Sequence, residues 1–241
     1  MKKTCLLLFL CIIAGTLTLH AQWSVGLEAG YNKNYPFTNT GFRAFTEYKP
    51  MEGFNIGVPV KYTLNNWFGV QADPQFIRKS YQMVRSGFFD GVYQKNINNY
   101  IQLPLMAHFT FGGQKIKGFF NLGGYAGYWA SSHIKGTQLD VFSQSYELPD
   151  DFQSKRYLDF KPGYNYDEKY EFDKRKDRRI ELGLLTGAGI SYQLKPRYEL
   201  FAEGRYYRAL TDQQKDYMLN QIPRYNDTFT IQVGCMYRLG K

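Results

Sequence analysis

The sequence predicts an all-β chain, an eight-stranded antiparallel up-and-down transmembrane barrel with short periplasmic turns and long external loops. Three observations predict it. Apolar residues recur with period two over eight segments, and none of the eight apolar stripes holds a charged residue. The connections between these segments alternate between short and long. Aromatic residues, at 18% of the chain, gather at the segment ends, where two membrane interfaces would select them.

The order begins with an export signal. Lys2 and Lys3 precede an apolar run over 6–15, and "TLTLHA" leads to Gln22. The run is too short to span a bilayer, so residues 1–21 are expected to be a signal peptide and 22–241 the barrel domain. A lipoprotein is excluded, because Leu10 precedes Cys11 where a small residue is wanted. Cys5 and Cys11 leave with the signal, and the remaining Cys235 cannot build a disulfide framework. No later stretch approaches 18 apolar residues, so no transmembrane helix is expected. The full chain carries a net charge of +9. This reads as a solvated basic surface and suits contact with outer-membrane lipid. An exported chain with no nucleic-acid motif has no use for nucleic acid.

The first predicted strand, 23–31, alternates Trp23, Val25, Leu27, Ala29 and Tyr31 on one face. The second, 54–62, carries Phe54, Ile56, Val58, Val60 and Tyr62. The third, 68–76, and the fourth, 101–109, continue the pattern through Val70 and Leu105. The fifth lies in "GFFNLGGYAGYW", with Phe120, Leu122, Gly124, Ala126 and Tyr128 outward. The sixth (180–192), seventh (198–206) and eighth (229–239) close the set. The opposite faces hold glycines, amides and charges, among them Glu181 and Glu199. Pro59, Pro74 and Pro104 fall inside strands, and bulges or register breaks are expected there.

Residues 63–67, 112–117 and 193–197 are the short connections; 32–53, 77–100, 131–179 and 207–228 are the long ones. Short turns on one side and long loops on the other are the outer-membrane arrangement, with both termini in the periplasm.

The segments "WSVGLEAGYN", "FGVQADPQFIRKSY", "NNYIQLPLMAHFTFG", "GFFNLGGYAGYW", "IELGLLTGAGISY", "ELFAEGRYYRALTD" and "FTIQVGCMYRLGK" resemble the PorT-type outer-membrane beta-barrel family. The resemblance spans the mature chain and is weakest in the long loops. It implies an outer-membrane barrel of a Gram-negative envelope, and some members are associated with protein secretion. The terminal strand departs by ending Leu239-Gly240-Lys241 instead of on an aromatic residue.

Eight strands leave an interior that side chains fill. Glu28, Lys61, Asp73, Glu203, Arg205 and Arg238 are expected to form a polar network in that lumen. The third long loop is expected to be a recognition surface carried by Tyr157, Tyr164, Tyr166, Tyr170 and Arg175, with "KPG" at 161–163 as the turn of a hairpin extending strands five and six. No catalytic, cofactor or metal residues are assigned. His108 reads as part of the lumen plug, and His133 beside Ser131 and Ser132 lacks an orienting carboxylate in the sequence. The expected protein is a non-enzymatic monomer in the outer membrane. It presents loops to an envelope or secretion partner, or supports such a process. Two other classes remain: an outer-membrane lipid- or peptide-hydrolysing enzyme, and a soluble periplasmic lipocalin-like carrier whose apolar stripes point inward.

Overall fold

The computed structural model describes residues 22–38, 45–139, 162–218 and 221–239; the segment 1–21, read as a signal, lies outside them. The strands are β1 (Gln22–Thr38), β2 (Thr46–Gly57), β3 (Val60–Thr63), β4 (Phe68–Ala72), β5 (Gln75–Arg85), β6 (Tyr93–Gly112), β7 (Ile116–Leu139), β8 (Pro162–Lys169), β9 (Ile180–Lys195), β10 (Tyr198–Ala209) and β11 (Arg224–Arg238). All pairings are antiparallel. β2 with β3, and β4 with β5, each form one stave, and β11 returns to β1 from Ser24↔Arg238 to Thr38↔Arg224. The sheet is therefore a closed ring of eight staves with no free edge in the membrane, the only sheet form whose backbone polar groups are all satisfied in lipid.

The two faces of each stave meet different solvents. Leu27, Ile101, Leu105, Leu122, Leu184 and Val233 are exposed outward, while Glu28, Gln102, Asn121 and Gln232 are buried inside. The apolar stripes point away from the lumen, so the lipocalin-like arrangement is overturned. Rings pair across neighbouring staves at both ends of the apolar band. At the periplasmic end Trp23 meets Tyr62 at 4.8 Å and Tyr198 meets Tyr237 at 5.2 Å; at the other end Phe54 meets Phe76 at 5.6 Å.

The prolines interrupt the ladder without slipping it. Gly57↔Gln75 and Val60↔Ala72 lie on one continuous register across Pro59 and Pro74. Each proline lacks only a donor: the carbonyls of Pro59, Pro74 and Pro104 accept from Gly26, Val58 and Asp73 at 2.8–3.1 Å. The register shifts fall elsewhere: between Asn99 and Tyr100 on β6 against β7, Pro50 and Asn55 on β2 against β5, Tyr198 and Glu199 on β10 against β9, and Gln138 and Leu139 on β7 against β8.

The long connections are also shorter than expected, because the staves continue beyond the lipid band. β7 runs for 24 residues, about 80 Å at the usual strand rise, where a crossing needs about 9–11 residues. Beyond the bulge at Ala130 its outward face carries His133 and Lys135, so alternation continues while the apolar contrast ends. The loop-three hairpin extends strands five and six as expected, but the "KPG" segment is not its turn. Pro162 and Gly163 begin a strand, and β8 takes over the edge of β7 at residues 133–139 that β9 occupies over 116–128. β8 and β9 are thus one stave, interrupted by residues 170–179.

Close approach decides one glycine of β7. A Cβ on Gly123 would lie 2.0 Å from the Leu105 carbonyl oxygen and 2.7 Å from the Met106 Cα, both backbone. At Gly127 the nearest atom is 3.6 Å away, an ordinary contact. Gly123→Ala is expected to lower the unfolding free energy by about 1–3 kcal/mol. Gly127→Ala is expected to be neutral or to gain up to about 1 kcal/mol. Urea titrations of protein folded into lipid vesicles measure both; equal behaviour would contradict the steric account.

Candidate functional site

The lumen is filled in three tiers. At the periplasmic end Lys61 pairs with Glu199 at 3.4 Å, beside a cluster of Phe119, Phe201 and Met236. His108 packs beside Phe119, its Nδ1 2.7 Å from the Asn121 Oδ1. The space left among these side chains is about 10 Å³, one water at most.

The middle tier centres on Arg205, which is fully buried. Its Nε and Nη2 donate to the two Glu203 oxygens at 3.0 and 2.6 Å, Nη2 also reaches Asp73 at 2.8 Å, and Nη1 donates to the Tyr207 hydroxyl at 3.0 Å. The planar fork suits this task, since one cation must hold two carboxylates and a phenol. Amides finish the shell. Asn121 donates to Glu203 at 2.8 Å, Gln71 to Asp73 at 3.0 Å and Gln232 to Glu28 at 3.0 Å. Glu28 therefore joins the cluster through Gln232, with one carboxylate oxygen unpartnered in the protein.

In the upper tier the Lys79 ammonium bonds Glu181 at 2.5 Å and lies over the rings of Tyr125, Tyr100 and Tyr207 at 4.8–5.8 Å. Glu181 also accepts from the Tyr125 hydroxyl at 3.0 Å and from Asn226 at 2.5 Å. This pair was not among the residues proposed from the sequence for the lumen network. Lys79 fell in a presumed loop, and only the run of inward Ile77, Lys79 and Tyr81 pointed to a strand. Of the six residues proposed, the structure brings Glu28, Asp73, Glu203 and Arg205 together and places Lys61 one tier below. Arg238 is half-buried at the periplasmic rim opposite Ser24 and makes no ion pair among the described residues.

Above the lumen, residues 170–179 turn inward and form a roof. Tyr170 stacks on Trp129 at 6.1 Å, Phe172 meets the same ring edge-on at 4.9 Å, and Tyr100 stacks on it at 6.1 Å from the lumen side. Arg179 donates to the carbonyls of Trp129 and Ala130, both at 3.0 Å, which satisfies the backbone that the β7 bulge frees. The β10–β11 connection joins the roof. Arg178 N donates to Gln213 O at 2.9 Å, and Lys215 N to Lys176 O at 2.8 Å. Between roof and strands lies a cavity of about 240 Å³. Tyr81 and Asn96 line it from below, and Lys176 and Tyr217 from above.

The proposed recognition residues divide. Tyr164 is exposed, Tyr166 donates to Gln94 at 3.0 Å, and Tyr170 donates to Asp177 at 3.0 Å in the roof. Burial and the neighbouring Asp177 push the Tyr170 hydroxyl upward, so it remains a neutral donor. Arg175 is exposed in the 170–179 segment, and Tyr157 lies outside the described residues.

His133 does meet a carboxylate, Asp167 on β8, which also accepts from Lys135 at 2.8 Å. The Lys135 and His133 bonds hold Asp167 below the usual carboxylate range. Neither serine joins them. Ser132 faces inward and donates to Asn98 at 2.7 Å, and Ser131 accepts from Asn99 at 3.0 Å. Successive strand residues point to opposite faces, so Ser132 and His133 do not converge. Among the described residues no group of three or more His, Cys, Asp or Glu could hold a metal ion.

Residues 18–214 match the model of a family described as outer membrane protein beta-barrel domain. No curated protein matches the chain. Three solved structures are similar in fold. The outer membrane protein OprG from Pseudomonas aeruginosa is 12% identical with a TM-score of 0.46, over 92% of this chain and 98% of that one. Neisserial surface protein A is 13% identical with a TM-score of 0.43, over 89% and 96%. Ail, the attachment invasion locus protein of Yersinia pestis, in complex with the heparin analogue sucrose octasulfate, is 16% identical with a TM-score of 0.40, over 90% and 99%.

Proposed function

We infer function from one premise: the chain belongs to the outer membrane protein beta-barrel domain family. On that premise it acts as a non-enzymatic anchor, exported by residues 1–21, that presents its external rim to an envelope or surface partner. The PorT-type resemblance makes support of a secretion process the more specific form of this role.

The observation that carries the reading is the contrast between the two ends of the barrel. Side chains fill the lumen near the periplasm and leave a space of about 10 Å³ among them, while the staves rise beyond the lipid band into a built roof. A barrel filled in this way gives its extended rim the larger share of the work. The functional surface centres on exposed Tyr164 and Arg175.

Two measurements test it. A photocrosslinking residue at Tyr164 or Arg175 is expected to capture one discrete species in intact cells, while the same residue at Asn65 in the periplasmic turn does not. In planar bilayers the purified protein is expected to show no steady conductance. Stable ion channels, or equal capture from both ends, would reject the anchor reading.

A further inference from the structure

The roofed cavity has an unfilled demand for hydrogen bonds. Trp129 is 7% exposed and lines it, yet its indole Nε1–H has no partner among the described residues. A buried donor left unpaired costs about 1–3 kcal/mol, so such a group calls for an acceptor. Tyr100 and Tyr170 stack in parallel on this ring, at 7° and 9°, so the indole offers the cavity an edge and not a face.

The rest of the lining is rich in hydrogen-bond donors. Asn96 uses its side-chain oxygen to accept from Gln94 at 2.7 Å, which leaves its amide N–H groups to the cavity. The Gln214 side chain lines the same space and makes no hydrogen bond among the described residues. Tyr81 and Tyr217 supply apolar walls. Asp177 is already occupied by Tyr170 and by the Asp173 N–H, whereas Arg224 spends one N–H on the Tyr81 hydroxyl at 2.9 Å and, with Lys176, brings further donors to the lining. Planar amides, one indole N–H and aromatic walls match a ligand with hydroxyls around its rim and an apolar C–H face. The volume, about 240 Å³, is many times the ~10–15 Å³ that one water needs and leaves room for a small ring-shaped ligand.

We propose that this cavity is a binding site for a single pyranose unit, with the Trp129 Nε1–H donating to a sugar oxygen and Asn96 and Gln214 fixing the neighbouring hydroxyls. The proposal rests on the rim being the working end of the barrel and names what that rim takes. Such a unit comes either as a free sugar or as the terminal residue of a surface glycan, with the same chemistry toward the site.

Ligand-observed NMR on the full barrel in nanodiscs tests it. The probes are glucose, galactose, N-acetylglucosamine and glucuronate, each free and as the terminal unit of a short oligosaccharide. At least one is expected to bind. Trp129→Phe keeps a six-membered ring in the stack and removes the N–H together with the pyrrole ring, and is expected to weaken binding about tenfold, which is 1.4 kcal/mol. Gln214→Ala, at a half-buried position that does not carry the fold, is expected to weaken it several-fold. Binding of the oligosaccharides assigns the source to a glycan, and binding of free sugars alone assigns it to soluble sugar. No binding by any probe, or affinity unchanged in both variants, overturns the site. If no sugar binds while Tyr164 still captures a protein in cells, the anchor role stands and this inference falls.

Discussion

Replacing Arg205 by Met is expected to lower the unfolding free energy in lipid vesicles by about 3–5 kcal/mol. Met matches much of the arginine stem and fills the space, so the loss is electrostatic and not a cavity effect. Asp73, 2.8 Å from the guanidinium, and both oxygens of Glu203 lose their cation, and the Tyr207 hydroxyl loses a donor. No other base reaches that tier, since Lys61 is committed to Glu199 and Lys79 to Glu181. Uncompensated buried charge is what makes removal of one partner costly, whereas removal of a whole pair is often neutral. Lys79→Met with Glu181→Leu is therefore the control and is expected to fall well short of the Arg205 loss. Arg205→Lys keeps the charge but not the fork, so an intermediate value is expected. Urea midpoints for the three variants decide it. An Arg205→Met protein within about 1 kcal/mol of the parent would mean that the acids are neutralised by other means.

The same cluster shows how far the sequence could be read. Glu28, Asp73, Glu203 and Arg205 were legible as lumen residues because each sits opposite a clean apolar stripe, and lipid excludes charge from only one face. Their grouping into one tier was not legible. It depends on how β11 meets β1 and on the stagger of eight staves, which period-two alternation leaves free. Arg238 shows the limit from the other side. It has the right face but lies at the rim, a matter of depth that parity does not encode.

The upper tier was missed for a different reason. Where staves leave the lipid band, both faces meet water or polar roof, and the contrast that marks a strand disappears. β5 past Phe76 and β6 before Ile101 therefore read as loop, and Lys79 went with them. The prolines misled in the opposite direction. A proline in a strand predicts a ladder fault, yet here each keeps its carbonyl bond and gives up one donor, so the register survives. Even the roof has a physical logic that spacing hides: Arg179 caps the bulge at Ala130, so the inward turn of 170–179 and the irregularity of β7 explain each other.

Placing Arg at position 105 is expected to cost about 2–4 kcal/mol, although Arg205 is tolerated with no exposure at all. The difference lies in what surrounds each site. Leu105 is 54% exposed on the outer face, flanked by Ala72 on β4 and Gly124 on β7, neither of which offers a hydrogen bond from its side chain. It lies halfway between Phe109, paired with Phe68 in the periplasmic girdle, and Ile101, which stands opposite Phe76 and Tyr128 at the external one. A guanidinium there must stay unpaired in hydrocarbon or drag water and headgroups inward. Depth sets the size of the effect, because an arginine near either interface snorkels to water. Phe111 is also outward, at 63% exposure, but lies beyond the periplasmic girdle, so Phe111→Arg is expected to cost about 0–1 kcal/mol from its charge. Unfolding titrations in lipid vesicles measure both. Equal costs at 105 and 111 would mean that the apolar band does not meet a bilayer, and the assignment of the outer face to lipid would fall with them.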